Sequence, residues 1–569
     1  MSGTPDAPVF IVDGGNGFLR GILLECQSGV WRLAGEPVTI SPSGGAVVQR
    51  VAALIARLLT DDLDGQSDGT GRPRFVPLSL ISGFRPLRLV AWGRTTDSTR
   101  RWAAQAVQGT ACWLVDVLAA DDGRQQGELI SRLVQLQPDV LLLFGGLEGG
   151  AQGWLHPVLA AISAAGLGAA TSVVYVGDSQ AATLVANALH PKRILYILPN
   201  MQQESGYPRF DAVRTTLASL WEEWTLGQDQ AQQLLSQWEG RLILTAPRSL
   251  SHSLAAYAGL GEQVLLARLD AASCMIISYR QLRLISTIAP WGLGDSLLLA
   301  AGRLPVTRLS RWLDGAVSGS DWFDLCLNRS CGIGAALSPC CLTRWESAVA
   351  QEVLYLAAAD HQELHPEQFA PPKPPPLRWW EKLNPEPRVA RYCDRVIGTG
   401  PILAGASAEQ AASWLADGLQ PHGVVSIYRD RWDVWPLLGV LEAWQPGSIA
   451  AVLADSLELL TTIIRPTGLP ASGRKALTVR LPGSGEQSHV IRSGERVLLP
   501  HTRHRAGVVE LRPQPGVDLG AGTGVPVERP LSGGTLGLIV DCRAGESRRQ
   551  RRQPGRHEPF LPAKRGGGR

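Results

Sequence analysis

The chain has 569 residues, of which 45% are hydrophobic, and a formal net charge of +3. That length exceeds what one hydrophobic core serves, so several domains are expected, and so small a charge argues against nucleic acid or a membrane surface as the main partner. No run of about 18 uninterrupted apolar residues signals a membrane span, and the first residues carry neither a basic segment nor a cleavage pattern, so a cytoplasmic protein is expected.

The chain opens with an apolar strand (Val9–Val12), a glycine-rich turn (Asp13, Gly14, Gly15, Asn16, Gly17) and a second apolar strand (Phe18–Leu24), the signals of a β-hairpin. The stretch SGGAVVQRVAALIARLL then has helical spacing. From about Pro138, strands and helices alternate: DVLLLFGG, AQGWLHPVLAAISAAG, SVVYVGD, SQAATLVANAL and RILYILPN. That alternation predicts parallel β/α architecture, in which ligands sit at the carboxyl ends of strands. Gly145, Gly146, Glu148, Gly177 and Asp178 follow strand ends on that edge. Glu148 reads better as a solvated helix-start carboxylate favoured by the helix dipole than as a metal ligand or water-activating group.

A second hairpin follows in LLARLDAASCMIIS, Leu265–Ser278, with its small-residue turn at Asp270–Cys274. A mostly helical stretch then runs to about Leu356. It contains Cys326–Cys341, where spacing matches no zinc or iron–sulfur pattern, so reduced thiols and no metal are expected. PEQFAPPKPPPLRWWEKLNPEPR predicts an extended, proline-rich linker. DRVIGTGPILAG predicts a strand, a glycine turn and a helix start. Helices are expected within Trp435–Trp444 and Ile449–Leu460, before a β-rich segment that ends at GGTLGLIVDCR. The basic tail RRQRRQPGRHEPFLPAKRGGGR has the composition of a solvated, disordered segment, with a phosphate or acidic-protein contact as the alternative. The hairpins near Val9 and Val264 suggest a duplicated architecture.

Three small-residue turns thus follow apolar strands, at Asp13, Asp270 and Ile397. Glycine lets backbone N–H groups approach a phosphate closely. In this order the turns resemble the layout of the actin, Hsp70 and sugar-kinase superfamily. LLLFGGLEGG, GDSQAA, LARLDAASCMIIS, APWGLGDS, RVIGTGPILA, VVELRPQPGVDLGAG and GGTLGLIVDCRAG further resemble the blocks of the glutamate mutase accessory family, called MutL (not the mismatch-repair protein), from about residue 9 to about 545.

The resemblance implies an α/β fold of duplicated, ribonuclease H-like halves around a cleft, plus a β-rich C-terminal module. The boundaries it suggests are 1–255, 256–425, 426–545 and a tail, 546–569. It implies an ATP-using chaperone that acts on an adenosylcobalamin-dependent mutase. By that resemblance the nucleotide site would comprise Asp13, Gly14, Gly15, Asn16, Gly145, Gly146, Glu148, Arg268, Asp270, Ser273, Gly294, Asp295, Gly398, Thr399 and Gly400. No catalytic residue or metal ligand is assigned among them.

Several positions depart from the family pattern. Arg268 replaces a metal-side carboxylate, placing a cation where Mg²⁺ would sit. Asp270 and Ala271 replace glycines, and Ser273-Cys274-Met275 replace Thr-Thr-Asp. Pro401 replaces a glycine and removes an N–H donor. Weak or absent Mg·ATP binding and lost hydrolysis are therefore expected. Two alternatives remain open. One is an active ATPase or kinase using Asp13, Glu148 and Asp295; the other is a scaffold whose cleft is filled by side chains such as Arg268 and Met275.

Overall fold

In a computed structural model, residues 7–543 are described except 16–17, 41–48, 50, 52, 56–74, 83–84, 169, 190–193, 202–207, 238–241, 260–261, 295, 299–303, 305, 314–317, 332–343, 370–390, 483–487 and 501–506. Most of the helix expected in residues 43–59, the proline-rich linker from residue 370 on, the end of the cysteine-bearing stretch and the basic tail lie outside the described residues. The linker's first residues, Pro366–Phe369, form a 3-10 turn rather than extended chain, with Gln368 and Phe369 buried. The chain forms two compact units. One comprises 1–84, 228–287 and 291–569, and the other comprises 85–227 with 288–290.

The larger unit begins with β1 (Val9–Gly15), β2 (Phe18–Gln27), β3 (Val30–Leu33), β4 (Val38–Ile40) and β5 (Val76–Ile81). β1 pairs antiparallel with β2, and β2 with β3 and β4, whereas β1 and β5 are parallel. The smaller unit contributes β6 (Leu87–Gly93), β7 (Cys112–Ala119), β8 (Val140–Phe144), β9 (Ser172–Val176) and β10 (Leu195–Leu198). Its strands are all parallel in the order β10-β9-β8-β6-β7, the doubly wound order of flavodoxin-like folds. The near-continuous apolar runs of β8 and β9 are what a sheet covered on both faces requires, and both strands are fully buried.

Returning to the larger unit, β11 (Ile243–Thr245) lies parallel to β5 and completes the order β3-β2-β1-β5-β11. The same arrangement then recurs. β12 (Val264–Leu269), β13 (Cys274–Arg280) and β14 (Arg283–Ala289) are followed by β15 (Arg391–Tyr392), β16 (Arg395–Thr399) and β17 (Pro421–Asp430). The order is β14-β13-β12-β16-β17, with an antiparallel hairpin at β12/β13 and parallel pairs β12/β16 and β16/β17. Two sheets with the order 3-2-1-4-5, each opened by a hairpin, constitute the duplicated ribonuclease H-like architecture expected from the sequence. Leu265, Leu266, Leu269, Ile276 and Ile277 are all at most 1% exposed, so the second hairpin is central to its sheet.

β18 (Leu457–Arg465) continues the second sheet beside β17. The helix expected within Ile449–Leu460 spans Ala450–Ser456, and Leu457–Leu460 belong to β18, a strand the sequence reading did not separate. The β-branched run Thr461–Ile464 and a vacant sheet edge win over the helical spacing of the leucines. The C-terminal strands are β19 (Lys475–Arg480), β20 (Ser488–Arg492), β21 (Arg496–Leu499), β22 (Val508–Pro513), β23 (Val527–Pro530) and β24 (Leu538–Asp541). β24 and β21 extend the second sheet, while β20-β19-β22-β23 form a separate four-stranded sheet. Their attachment is ionic as well as apolar. Arg465, Arg496 and Arg543 surround Asp417 and Asp541 at 2.6–3.4 Å. Burial opposes ionisation of Asp417, but the guanidiniums outweigh it and hold the carboxyl at about 2.

The helix after each half's fifth strand packs against its counterpart. Ser253 Oγ in helix Ala246–Tyr257 donates to the Trp435 carbonyl (2.6 Å), and Ser249 Oγ donates to that of Pro436, at the start of helix Trp435–Trp444. A Cβ at Gly439 would lie 1.8 Å from the Ser249 carbonyl oxygen, so only glycine permits this approach. Gly439→Ala is expected to lower unfolding free energy by about 1–3 kcal/mol through forced separation of the helices, measurable by urea titration.

Candidate functional site

The strand ends of the larger unit place five ionisable groups in a row. Asp13 lies two residues before the end of the inner strand β1, and Arg20 stands opposite it on β2. Arg268 is the penultimate residue of β12, and Asp270 begins the following turn. Asp433 lies between them in the loop after β17, with φ +50°. All five side chains are at most 8% exposed.

Contacts run along the row in alternating sign. Arg20 Nη2 reaches Asp13 Oδ2 at 3.2 Å, and its Nη1 donates to Asp433 Oδ2. Arg268 Nη1 donates to Asp433 Oδ1 at 2.8 Å, and its Nε lies 3.5 Å from Asp270 Oδ2. Asp433 therefore joins the two hairpins. It also accepts from Gly400 N (2.9 Å) and Thr399 Oγ1 (2.9 Å), which ties in the third glycine turn. Gly400 has φ +100°, and a Cβ there would meet the Leu269 carbonyl oxygen at 2.4 Å.

The second hairpin's turn is closed on itself. Asp270 Oδ1 accepts from Ala272 N (2.9 Å) and Ser273 N (2.7 Å). In a glycine turn such N–H groups are the ones that face a phosphate; here they face the turn's own carboxylate. Gly294 N donates to the Ala271 carbonyl at 2.9 Å, packing the APWGLGDS segment behind the turn. Pro401 begins the helix Pro401–Gly405, a position where a missing N–H costs nothing.

Burial sets the electrostatics. It opposes ionisation of Asp433, yet Arg20 and Arg268 outweigh it and hold the carboxyl below its ordinary range. Burial raises Asp13 against the pull of Arg20, the hydrogen bond from Ser82 Oγ (2.7 Å) and Arg268. Burial, reinforced by the Asp433 charge, pushes Asp430 to about 7. Thr399 Oγ1 lies 3.0 Å from Asp430 Oδ2 and 2.9 Å from Asp433 Oδ1, and one hydroxyl has one proton to give. A protonated Asp430 donating to Thr399, which donates to Asp433, satisfies both contacts. Asp430 also accepts from Val434 N and Trp435 N, at the head of the helix behind.

The residues expected from the sequence divide into two groups. Asp13, Arg268, Asp270, Thr399 and Gly400 meet in the ion row. Gly14 and Gly15 end β1, Gly398 lies within β16, and Ser273 binds Asp270. Asn16 and Asp295 lie outside the described residues. Gly145, Gly146 and Glu148 belong to the smaller unit. There Gly145 N is taken by the Val176 carbonyl, and exposed Glu148 accepts from Ser179 N (3.0 Å) and Asn200 Nδ2 (3.1 Å). Hydrogen bonds from Ser179 and Asn200 hold its carboxyl below the ordinary value.

Sequence reasoning missed Arg20, Ser82, Asp430 and Asp433. The available signal was the run Asp430-Arg431-Trp432-Asp433, two carboxylates between a buried strand and a helix that begins Trp-Pro. A buried Thr287–His361–Ser278–Gln368 chain was also unforeseen. Burial lowers His361 to about 3, so the ring is neutral, and the chain contains no carboxylate. Among the described residues, no cluster of histidine, cysteine, aspartate and glutamate has the geometry to hold a metal ion.

Residues 10–270 match the family model described as MutL protein. That span runs from the first hairpin to the turn of the second and bears out the resemblance read from the sequence. No curated protein sequence matches the chain. Among solved structures, the chain is similar to the activator of the 2-hydroxyisocaproyl-CoA dehydratase from Clostridium difficile with bound ADPNP (8% identity, 79% of this chain and 95% of that chain, TM-score 0.27). It is similar to a diol dehydratase-reactivating factor in nucleotide-free form (8% identity, 77% and 99%, TM-score 0.28). It is also similar to the ethanolamine utilization protein EutJ from Carboxydothermus hydrogenoformans (9% identity, 77% and 90%, TM-score 0.24).

Two predictions follow from the ion row. Asp433→Ala leaves two buried guanidiniums uncompensated and is expected to cost about 3–5 kcal/mol in urea unfolding. Inorganic phosphate should raise the melting temperature of that variant and leave the parent unchanged. The second concerns pH. A carboxyl at 3.8 when unfolded and about 7 when folded binds its proton more tightly in the native state. Its contribution to stability is full below pH 4, falls by up to about 1.4 kcal/mol per unit between pH 4 and 7, and changes no further above. Asp430→Asn should remove that slope from denaturation curves taken across this range.

Proposed function

We propose that this MutL-like chain is an accessory protein of an adenosylcobalamin-dependent, glutamate mutase-type enzyme, and that it works without hydrolysing ATP. The accessory role rests on the family match over residues 10–270 and on the sequence blocks that continue the resemblance beyond it. The loss of hydrolysis rests on one observation: the Asp433 carboxylate takes the donors that a nucleotide phosphate would need.

Phosphoryl transfer depends on positioning and charge stabilisation. It requires N–H donors and cations around the phosphates, and a carboxylate-held Mg²⁺. In this chain Arg20, Arg268, Thr399 and Gly400 N all serve Asp433, while Ala272 N and Ser273 N serve Asp270. A triphosphate would have to displace two buried carboxylates from their partners. Arg268, the residue best suited to grip a phosphate in place of the metal, is held between Asp433 and Asp270.

On this reading the row holds the two halves together as a bound phosphate would, without the cycle that hydrolysis drives. The chain would then act on its mutase partner by binding, and so favour exchange of damaged cobalamin without nucleotide turnover.

The test uses the purified chain and a glutamate mutase-type enzyme carrying an inactive cobalamin. Recovery of mutase activity on adding fresh adenosylcobalamin should require the chain and be equal with and without Mg·ATP. Calorimetry with Mg·ATP at millimolar concentration should show no binding, and the melting temperature should not move. Tight Mg²⁺-dependent ATP binding would overturn the claim about hydrolysis; absence of recovery would overturn the accessory role.

A further inference from the structure

The hairpin β13–β14 turns through two residues, Gln281 and Leu282, with φ of +50° and +63°. A two-residue hairpin loop of this hand needs positive φ at both positions and normally uses Asn-Gly. Neither residue here is glycine. For a leucine the left-handed conformation is strained, and strain of this kind persists where function demands it.

The turn permits the β13–β14 pairing, but the Leu282 side chain gains no burial from it. Leu282 is 70% exposed, the most exposed large apolar side chain among the described residues. β14 is also the terminal strand of its sheet; among the described residues no strand pairs with its outer edge. Leu284 and Ile285 on it are only partly buried and Ser286 is exposed. Ile288 N donates to the Gly109 carbonyl (3.0 Å), so the open part of this edge is Leu284–Ser286, and unpaired backbone groups beside apolar side chains are a template for strand addition. The exposed charge on the strand is positive: Arg283 stands at the tip and Arg283–Ala289 contains no carboxylate, while Arg280 is engaged with the Glu367 carbonyl (2.6 Å).

We propose that the tip and outer edge of β14 dock an extended segment of a partner protein, apolar and flanked by carboxylates, by strand addition. The segment's backbone pairs with β14, its apolar side chains cover Leu282 and Ile285, and its acids meet Arg283. A second copy of this chain is the poorer occupant, because β14 pairing with itself brings no acid to Arg283. The proposal does not depend on the state of the ion row.

The test separates binding from folding. A displayed library of twelve-residue peptides is selected against the full chain, and the best peptide is measured against Gln281→Asn/Leu282→Gly and Arg283→Glu. The first variant relieves the strain, so its melting temperature should equal or exceed that of the parent. Selected peptides should carry alternating apolar residues with Asp or Glu. Affinity should fall at least tenfold for each variant, and bound peptide should slow amide exchange at Leu284–Ser286. Peptides that bind all three chains equally, peptides without acids, or protection elsewhere would overturn the proposal. So would a failed selection, or a homodimer that the first variant dissociates.

Discussion

The two halves of the larger unit meet at one carboxylate. Asp433 accepts from two guanidiniums, a threonine hydroxyl and a glycine N–H, and these donors come from β2, β12 and the end of β16 with its following turn. Burying a charge is costly unless it is paired and hydrogen-bonded. Each donor here is therefore needed by the carboxylate, and the carboxylate by each guanidinium. That mutual dependence fixes the hairpins relative to one another and commits the Nη donors to carboxylates within the row, while Arg20 Nε and Arg268 Nε make no hydrogen bond.

Around that point the architecture is repetitive. Both sheets have the order 3-2-1-4-5, and in each the hairpin supplies the inner strand on which the parallel strands stack. The helices following the fifth strands face one another at Gly439 and Ser249, where the backbones come too close for any side chain. The loop that holds Asp430 and Asp433 leads directly into one of these helices, with Asp430 accepting from the first N–H groups. The packing of the halves and the closure of the ion row are thus consequences of one segment.

Much of this was legible in the residues. The apolar runs at Val9, Val140, Ser172 and Val264 marked buried strands, and the recurrence of a hairpin 255 residues apart announced the duplication. Arg268 and Asp270 stood out because they place charge and a Cβ in a turn that phosphate chemistry keeps small. Two things were not legible. The helical spacing of Leu453 to Leu460 says nothing of an open sheet edge, so β18 was hidden. Asp433 lies more than 160 residues from Arg268 and more than 400 from Arg20, and no local pattern encodes that meeting.

The sequence by itself determined most element types, the duplicated hairpins and the loss of a glycine-lined phosphate turn, because periodicity and side-chain chemistry act over a few residues. Only the tertiary structure decided what fills that turn. Glu148 and Asp13 looked alike as strand-end carboxylates, yet the first is a solvated hydrogen-bond acceptor in the smaller unit and the second begins a buried ion row. The difference is burial, which sets the cost of an unpaired charge, and burial is a property of how distant segments pack.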